Sequence, residues 1–393
     1  MQFDGSTRPV WAEVNLDHLA HNIREVKRSV LETTLVTAVI KADGYGHGAV
    51  EIGQTLLDNG ADRFAVATLS EAIQLRHHFR DVPIMVLGYT PITLHKQILD
   101  HQIIQTIYAY EQAESLNKVA TALKSLARVH IKIDTGMRRL GMPVDETTVK
   151  TILKMNALKN LEIEGIFTHF AVADERDKSF TNLQVSRFME VVSELEKAGL
   201  AIPIKHVSNS AGIIDCPEYQ FDMVRAGIML YGLYPSKEVD HTRIRLKEVM
   251  SLKAEIAQVK WVESGEGISY GLKYKVGGPS QIATLPLGYA DGYSRLLSFK
   301  AQAIVKGQVK PIVGRICMDQ CMMEVNGLDV ASGDCVTLFG KVGALEISID
   351  TVAQWLGTIN YEVVCMIGKR VPRRYISQGQ VVHNVDYNLK NMV

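Results

Sequence analysis

The chain has 393 residues, with 43 lysines and arginines against 43 aspartates and glutamates and no formal net charge. Without a basic excess it does not read as a polyanion binder, and 47% hydrophobic with 22% charged residues excludes disordered and collagen-like chains. At about 150 residues per domain the length fits two or three domains, two best, and the balance points to a folded enzyme acting on small molecules.

The first ten residues hold no cationic segment followed by a long apolar one. No stretch reaches about 18 consecutive apolar residues, so neither a secretory signal nor a membrane span is expected, and the cytosol is the expected compartment. Cys216, Cys317, Cys321, Cys335 and Cys365 include no CxxC pair. That spacing argues against structural zinc and against a disulfide framework.

In chain order, Leu16, Leu19, Ile23, Val26 and Val30 recur at helical spacing and predict a first amphipathic helix. Short runs rich in Val and Ile then follow at 35–41, 64–68, 84–88, 103–108, 129–134, 163–169, 204–208 and 223–227. Such runs suit buried parallel strands. Helical stretches separate them, among them 182–198 with Val185, Phe188, Met189, Val192 and Leu195 on one face. Eight strands alternating with helices over about 200 residues predict a (β/α)8 barrel of the TIM type. A polar stretch at 236–247 places the domain boundary near 240, so the barrel is expected over 1–240 and a mainly β domain over 241–393. The first ten or so residues are allotted provisionally to the β domain. Leu252, Ala254, Ile256 and Val259 alternate with polar residues as half-wet strands do, and one helix is expected near 349–356.

A barrel carries its chemistry at the C-terminal ends of its strands. Those ends hold Lys41, Lys132, His169, Asn209 with Ser210, and Arg225. A lysine leaving an apolar strand either snorkels to solvent or serves as an amine nucleophile or base. Gly44, Gly46 and Gly48 permit close backbone approach but form no Walker loop. Ser210 and the amides of Gly227 and Ile228 fit a barrel phosphate site. An amine nucleophile beside a phosphate site suggests pyridoxal 5′-phosphate, although aldolases share both features.

With these residues in place, the chain resembles the bacterial alanine racemases along essentially its whole length. The resemblance lies in AVIKADGYGHG at 38–48, IDTGMRRLG at 133–141, HVSNSAG at 206–212, VRAGIMLYGLYP at 224–235, ISYG at 268–271, LPLGYADG at 285–292, GRICMDQ at 314–320 and NYEVVCMIGKRVPR at 360–373. It implies a pyridoxal-phosphate enzyme that interconverts L- and D-alanine by two-base proton transfer, supplying D-alanine for peptidoglycan. Lys41 is then the residue in Schiff-base linkage with the cofactor and the base for the D-enantiomer, and Tyr270 the base for the L-enantiomer. A tyrosine titrates near pH ~10, so it needs cationic or hydrogen-bonding neighbours to act as a base; His169 and Arg225 match that network. Arg225 also faces the pyridine nitrogen, where a group that only donates leaves the ring nitrogen unprotonated. That weakens the cofactor as an electron sink and disfavours side reactions such as transamination.

Tyr45, Asn209, Ser210, Gly227, Ile228 and Tyr361 match cofactor-binding positions, most of them around the phosphate. Arg139 and the backbone of Met318 match substrate-carboxylate ligands. Lys132 aligns with a lysine carbamylated in many relatives, and Tyr289, Arg295 and Asp319 with residues of the access corridor and pocket. No metal is expected. Arg138 departs from the pattern, since many relatives have glycine there, and it adds a charge beside Arg139. Because Lys41 and Tyr270 fall in different domains, the resemblance implies a homodimer whose two sites are each built from both chains, with no nucleic-acid or membrane partner. The sibling reading is a serine or broader-specificity racemase on the same scaffold. A pyridoxal-dependent decarboxylase would call for a carboxylate in place of Arg225, and a barrel-only cofactor carrier would lack the second domain.

Overall fold

The computed structural model describes residues 8–389. The chain divides into two compact units: a barrel unit of residues 19–44 and 49–247, and a β unit that comprises the described residues before 19, the short stretch 45–48 and everything from 248 onward.

Strand β1 (Val10–Asn15) belongs to the β unit, and eight strands follow in the barrel. They are β2 (Leu35–Val39), β3 (Arg63–Val66), β4 (Ile84–Val86), β5 (Ile104–Ile107), β6 (Ala127–Lys132), β7 (Leu161–Phe167), β8 (Ile204–His206) and β9 (Met223–Ala226). All eight expected runs are strands, each ending one or two residues earlier than the apolar pattern. Every ladder is parallel, in the order β8-β7-β6-β5-β4-β3-β2-β9. Two backbone bonds join the outer strands into a ring: Asp222 N–H to Lys205 O at 3.1 Å and Arg225 N–H to Ser208 O at 3.1 Å. Helix Ser179–Lys197 buries Val185, Phe188, Val191, Val192 and Leu195, the face that its periodicity announces.

The β unit adds β10 (Met250–Glu255), β11 (Gln258–Val262), β12 (Gly267–Ile268), β13 (Tyr274–Lys275), β14 (Ser280–Leu285), β15 (Gln302–Val305), β16 (Gln308–Val313), β17 (Cys321–Glu324), β18 (Cys335–Val342), β19 (Leu345–Ile347), β20 (Arg373–Ser377) and β21 (Gln380–Val385). Its sheet runs β11-β14-β17-β16-β15-β18-β10-β1-β20-β21, with β19 on β18 and a separate β12-β13 hairpin. The expected helix is Ile349–Leu356, capped by the Ser348 side chain at Thr351 N–H. A second helix, Asn360–Met366, was not anticipated as an element.

Arg373 ties this unit together. It is 1% exposed, and its guanidinium donates to the carbonyls of Gly46, Ile367, Gly368 and Val371. Tyr375 donates to His47 O at 3.0 Å from the same strand. Gly46 is obligatory, because a Cβ there would stand 2.5 Å from Val364 O. Stretch 45–48 therefore packs with residues that lie more than 300 positions away.

The buried hydroxyl of Tyr293 has no hydrogen-bond partner among the described residues, and burial and the neighbouring Cys321 push it well above the usual phenol range. An unpartnered buried hydroxyl costs about 1–3 kcal/mol. Tyr293→Phe is therefore expected to leave the melting temperature unchanged or raise it by a few degrees, measured by calorimetry. A fall would reveal a partner for that hydroxyl.

Candidate active site

Strand β2 delivers Lys41 to the barrel mouth and the backbone then turns left-handed. Ala42, Asp43, Gly44 and Tyr45 all have φ between +51° and +61°. Single residues visit this region at a cost of about 1–2 kcal/mol when they carry a Cβ, and four in succession mark a strained site. Polar clamps hold the turn. Gly44 N–H donates to Ile40 O at 2.9 Å and Ala42 N–H to Glu71 Oε1 at 2.6 Å, while Asp43 Oδ1 accepts from Ala49 N–H at 3.0 Å. Glu71 itself is fixed by the amides of Ala67 and Thr68 in a capping box.

Strands β8 and β9 supply an anion cradle. Asn209 caps the turn after β8 by accepting from Gly212 N–H at 3.0 Å. Ser210 Oγ accepts from Gly227 N–H at 3.0 Å, and Ile228 opens the 3₁₀ turn that follows. Successive amides and a hydroxyl thus converge where β9 ends.

Arg225 is 2% exposed and turned toward this mouth by acceptors. One Nη donates to Thr168 O at 2.9 Å and Val207 O at 2.8 Å and lies 3.4 Å from His169 Nδ1. The other meets His206 Nδ1 at 2.7 Å. No carboxylate pairs with Arg225 or Lys132 among the described residues. Burial and Arg139 push the Arg225 guanidinium down to about 9, so it stays protonated at neutral pH. Burial, Arg225 and Arg139 hold the Lys132 amine well below its usual range. Burial and the charges of Arg225, Lys132, Arg139 and Lys41 do the same to His169, which is a neutral imidazole here. The interior is short of anions.

Behind Arg225 runs a relay that sequence reasoning missed. His206 Nε2 meets His130 Nδ1 at 2.8 Å, and His130 Nε2 meets Glu164 Oε2 at 2.7 Å. Because Arg225 can only donate, His206 must carry its proton on Nε2 and donate it to His130 Nδ1, and His130 must carry its own on Nε2 and donate it to Glu164. Burial opposes ionisation of Glu164, yet the His130 hydrogen bond with Arg63 and Arg128 holds its carboxyl down to about 2. The adjacent strand positions of β3, β6, β7, β8 and β9 assemble this line. No local spacing in the sequence reveals it.

The loop after β6 carries Arg138 and Arg139, both exposed. Arg138 sits at φ +60°, in the left-handed region that favours glycine, and is held by its N–H to Asp134 Oδ1 at 3.0 Å. Arg139 reaches Arg225, Lys132 and His169 through its charge.

In the β unit, Tyr270 stands on the turn between β12 and β13 and is 70% exposed. Ser269, Gly271 and Leu272 around it have φ of +66°, +77° and +48°, and Ser269 Oγ anchors the turn to Arg315 O at 2.6 Å. Tyr270 lines an open cleft of about 1100 Å³ together with Cys317, Met318 and Asp319. Tyr289 is outside the cleft lining, and its backbone N–H donates to Cys317 O at 3.0 Å; a Cβ on the preceding Gly288 would strike that oxygen at 2.2 Å. Arg370 bridges Asp319 at 2.8 Å and buried Asp291 at 3.6 Å. Arg295 opens a separate 3₁₀ turn, Arg295–Leu297, outside the cleft lining. Tyr361, on helix Asn360–Met366, lies with its ring 6.3 Å from that of Tyr45. Burial, with Tyr361 beside it, raises the Tyr45 phenol above its usual range.

The family model for the alanine racemase N-terminal domain matches residues 14–235, and that for the C-terminal domain matches 249–375. An alanine racemase of Clostridium tetani is 50% identical over 377 residues, 95% of this chain and 97% of that protein. The solved alanine racemase of Clostridium difficile is 45% identical with a TM-score of 0.94, covering 97% of this chain and 99% of that one. That of Bacillus anthracis with bound L-Ala-P is 36% identical with a TM-score of 0.93, covering 98% and 99%. With both family domains matched in order, half of all positions shared with a full-length relative, and the fold reproduced along nearly the whole chain, this protein belongs to the alanine racemase family.

Proposed function

We propose that the cationic barrel mouth binds pyridoxal 5′-phosphate and that Lys41 and Tyr270 move the α-proton between the two faces of alanine. The protein is an alanine racemase, an isomerase that interconverts L- and D-alanine. One observation carries the cofactor reading: Arg225 is buried, and its hydrogen-bond partners among the described residues are two carbonyls and two neutral histidines, beside the Ser210 and Gly227 cradle. When bound, pyridoxal phosphate supplies the conjugated carbonyl that makes the α-C–H acidic.

The chain's own residues fit the rest. Ser210, the amides of Gly227 and Ile228, Tyr45 and Tyr361 would hold the phosphate, with Asn209 fixing the turn that carries Ser210. Arg225 would donate to the ring nitrogen, since its guanidinium keeps its protons at neutral pH and offers only donors. Arg139 and the Met318 backbone would orient the substrate carboxylate. Burial and two arginines hold Lys132 well below its usual range, which favours the free amine that can add carbon dioxide, release a proton and become an anion that orients Arg139. Tyr289, Arg295 and Asp319 would shape the access route.

Inversion needs a base on each face, because one base returns the proton to the side it left. Lys41 serves one face and Tyr270, from a partner subunit, the other. The exposure of Tyr270, Leu272 and Met318 beside the open cleft supports a homodimer with shared sites. No helix among the described residues is long and apolar enough to cross a membrane. A cytoplasmic role supplying D-alanine to peptidoglycan is consistent with that. The relatives are named for alanine, so the serine or broader-specificity reading is not favoured.

The test is to incubate purified protein with single enantiomers of several amino acids and follow optical rotation. L-alanine should lose its rotation. Retention by L-alanine with loss by another amino acid would sink the substrate assignment. Borohydride reduction followed by peptide mapping should place the pyridoxyl adduct on Lys41.

A further inference from the structure

Helix Ser179–Lys197 buries one polar side chain that its packing does not require. Gln184 is 0% exposed, yet all three of its hydrogen bonds point away from the helix. Its Nε2 donates to Thr135 Oγ1 at 3.1 Å and to His169 O at 3.1 Å. Its Oε1 accepts from Ala171 N–H at 2.9 Å. The carboxamide therefore spans two loops, the one after β6 that carries Arg139 and the one after β7 that carries His169.

Neighbouring contacts fasten the same two loops. Thr135 Oγ1 and Thr168 Oγ1 are 2.7 Å apart. With Gln184 donating to Thr135 Oγ1, the Thr135 hydroxyl is left to donate to Thr168. Arg187, one position short of a helical turn further on, donates to Thr135 O at 2.9 Å. From the barrel interior Arg225 grips Thr168 O at 2.9 Å. A leucine at 184 would fill similar space but take the Gln184 partner from the Ala171 amide and the His169 carbonyl and leave the Thr135 hydroxyl only Thr168, so an apolar residue is the cheaper core choice only if no joint is needed.

We propose that Gln184 is a positioning residue for the racemase reaction, joining the His169 loop and the Arg139 loop into one rigid piece. The proposal rests on the reading of His169 and Arg139 as site residues. Through it, the neutral imidazole beside Arg225 and the guanidinium that meets the substrate carboxylate keep a common register.

The experiment uses full-length, cofactor-loaded Gln184→Leu and Gln184→Glu. For Gln184→Leu, kcat/KM for L-alanine is expected to fall by about tenfold to a hundredfold. Amide exchange should accelerate together in segments 133–141 and 168–172. Gln184→Glu keeps the acceptor for Ala171 N–H but turns a lone pair toward His169 O while ionised. A buried carboxyl is protonated more readily. Its kcat/KM, as a ratio to wild type at each pH, should therefore recover from about pH 8.5 toward about pH 6.5, as the protonated acid donates again. A purely structural role would not produce that recovery at temperatures well below melting. Wild-type kcat/KM in both variants, or acceleration confined to one segment, overturns the proposal. If Gln184→Leu does not fold, the pH ratio of Gln184→Glu decides alone. Should the wild-type protein fail to racemise alanine, the functional reading falls while the exchange data still report on the joint.

Discussion

Lys41→Ala and Tyr270→Ala chains are each expected to lose racemisation by at least about a thousandfold, and their mixture to regain part of it. The losses follow from the two-base requirement: either variant can work on only one face of the α-carbon. The recovery follows from where the two residues lie. Lys41 ends a barrel strand, whereas Tyr270 is exposed on the β12-β13 turn of the other unit, beside a cleft open to solvent. If each site takes Lys41 from one chain and Tyr270 from its partner, a mixed dimer contains one intact site and one lacking both groups. Random exchange of equal amounts makes about half the dimers mixed, so activity should return to about one quarter of the wild-type value. Subunit exchange is verified by mass-tagged chains and native mass spectrometry. No recovery in a verified mixture would place both residues in the same chain's site, or remove one of them from it.

Much of this architecture could be read from residue order, and the remainder could not for definite reasons. The eight barrel strands are legible because parallel strands covered on both faces must be continuous apolar runs, as Phe64, Ala65 and Val66 or Ile104 and Ile107 show. Lys41, Ser210 and Arg225 are legible as strand-end residues. The left-handed turn is hidden, since Ala42, Asp43 and Tyr45 carry no glycine-like signal, and the clamps on Ala42 and Asp43 come from Glu71 on the helix Leu69–His78 and from the Ala49 amide. Stretch 45–48 gives no sign that it packs with Arg373 and Tyr375. His130 reads as one more polar residue in a strand until the ladders set it between His206 and Glu164. Gln184 sits on the apolar face of an amphipathic helix, where a polar residue is the only available hint and names no partner. Pairwise long-range bonds, more than elements, are what sequence patterning leaves out.

The barrel and the β unit are expected to respond to acid in opposite directions. His130 and His206 are fully buried and His169 half-buried; burial pulls each below its ordinary value of 6.5 and Arg225 adds to the pull, while Glu164 partly opposes it at His130. Their folded forms are neutral, so below pH 6.5 the unfolded barrel binds protons that the folded one refuses. Stability is thus full above that pH and lost as pH falls toward the depressed folded values. Each such group contributes a slope of about 1.4 kcal/mol per pH unit, and the three together about 4. Glu164 adds a further loss only below 4.5, as pH approaches its folded value of about 2. The β unit carries the reverse case. Glu248 is raised from 4.5 to about 8 by burial, with Glu346 and Asp350 adding repulsion that the Ile349 N–H bond only partly offsets. Between about pH 8 and 4.5 the folded β unit binds a proton that the unfolded one does not, and it gains about 1.4 kcal/mol per pH unit as acid is added. Segment-resolved amide exchange at pH 7.5, 6.5 and 5.5 separates the two. Protection should collapse across β6 to β9 and hold or rise around β10, β18 and the helix Ile349–Leu356. Glu248→Gln should abolish the gain in the β unit and leave the barrel's loss untouched. Equal weakening of both units would show that the three imidazoles and the Glu248 carboxyl do not control the acid limb.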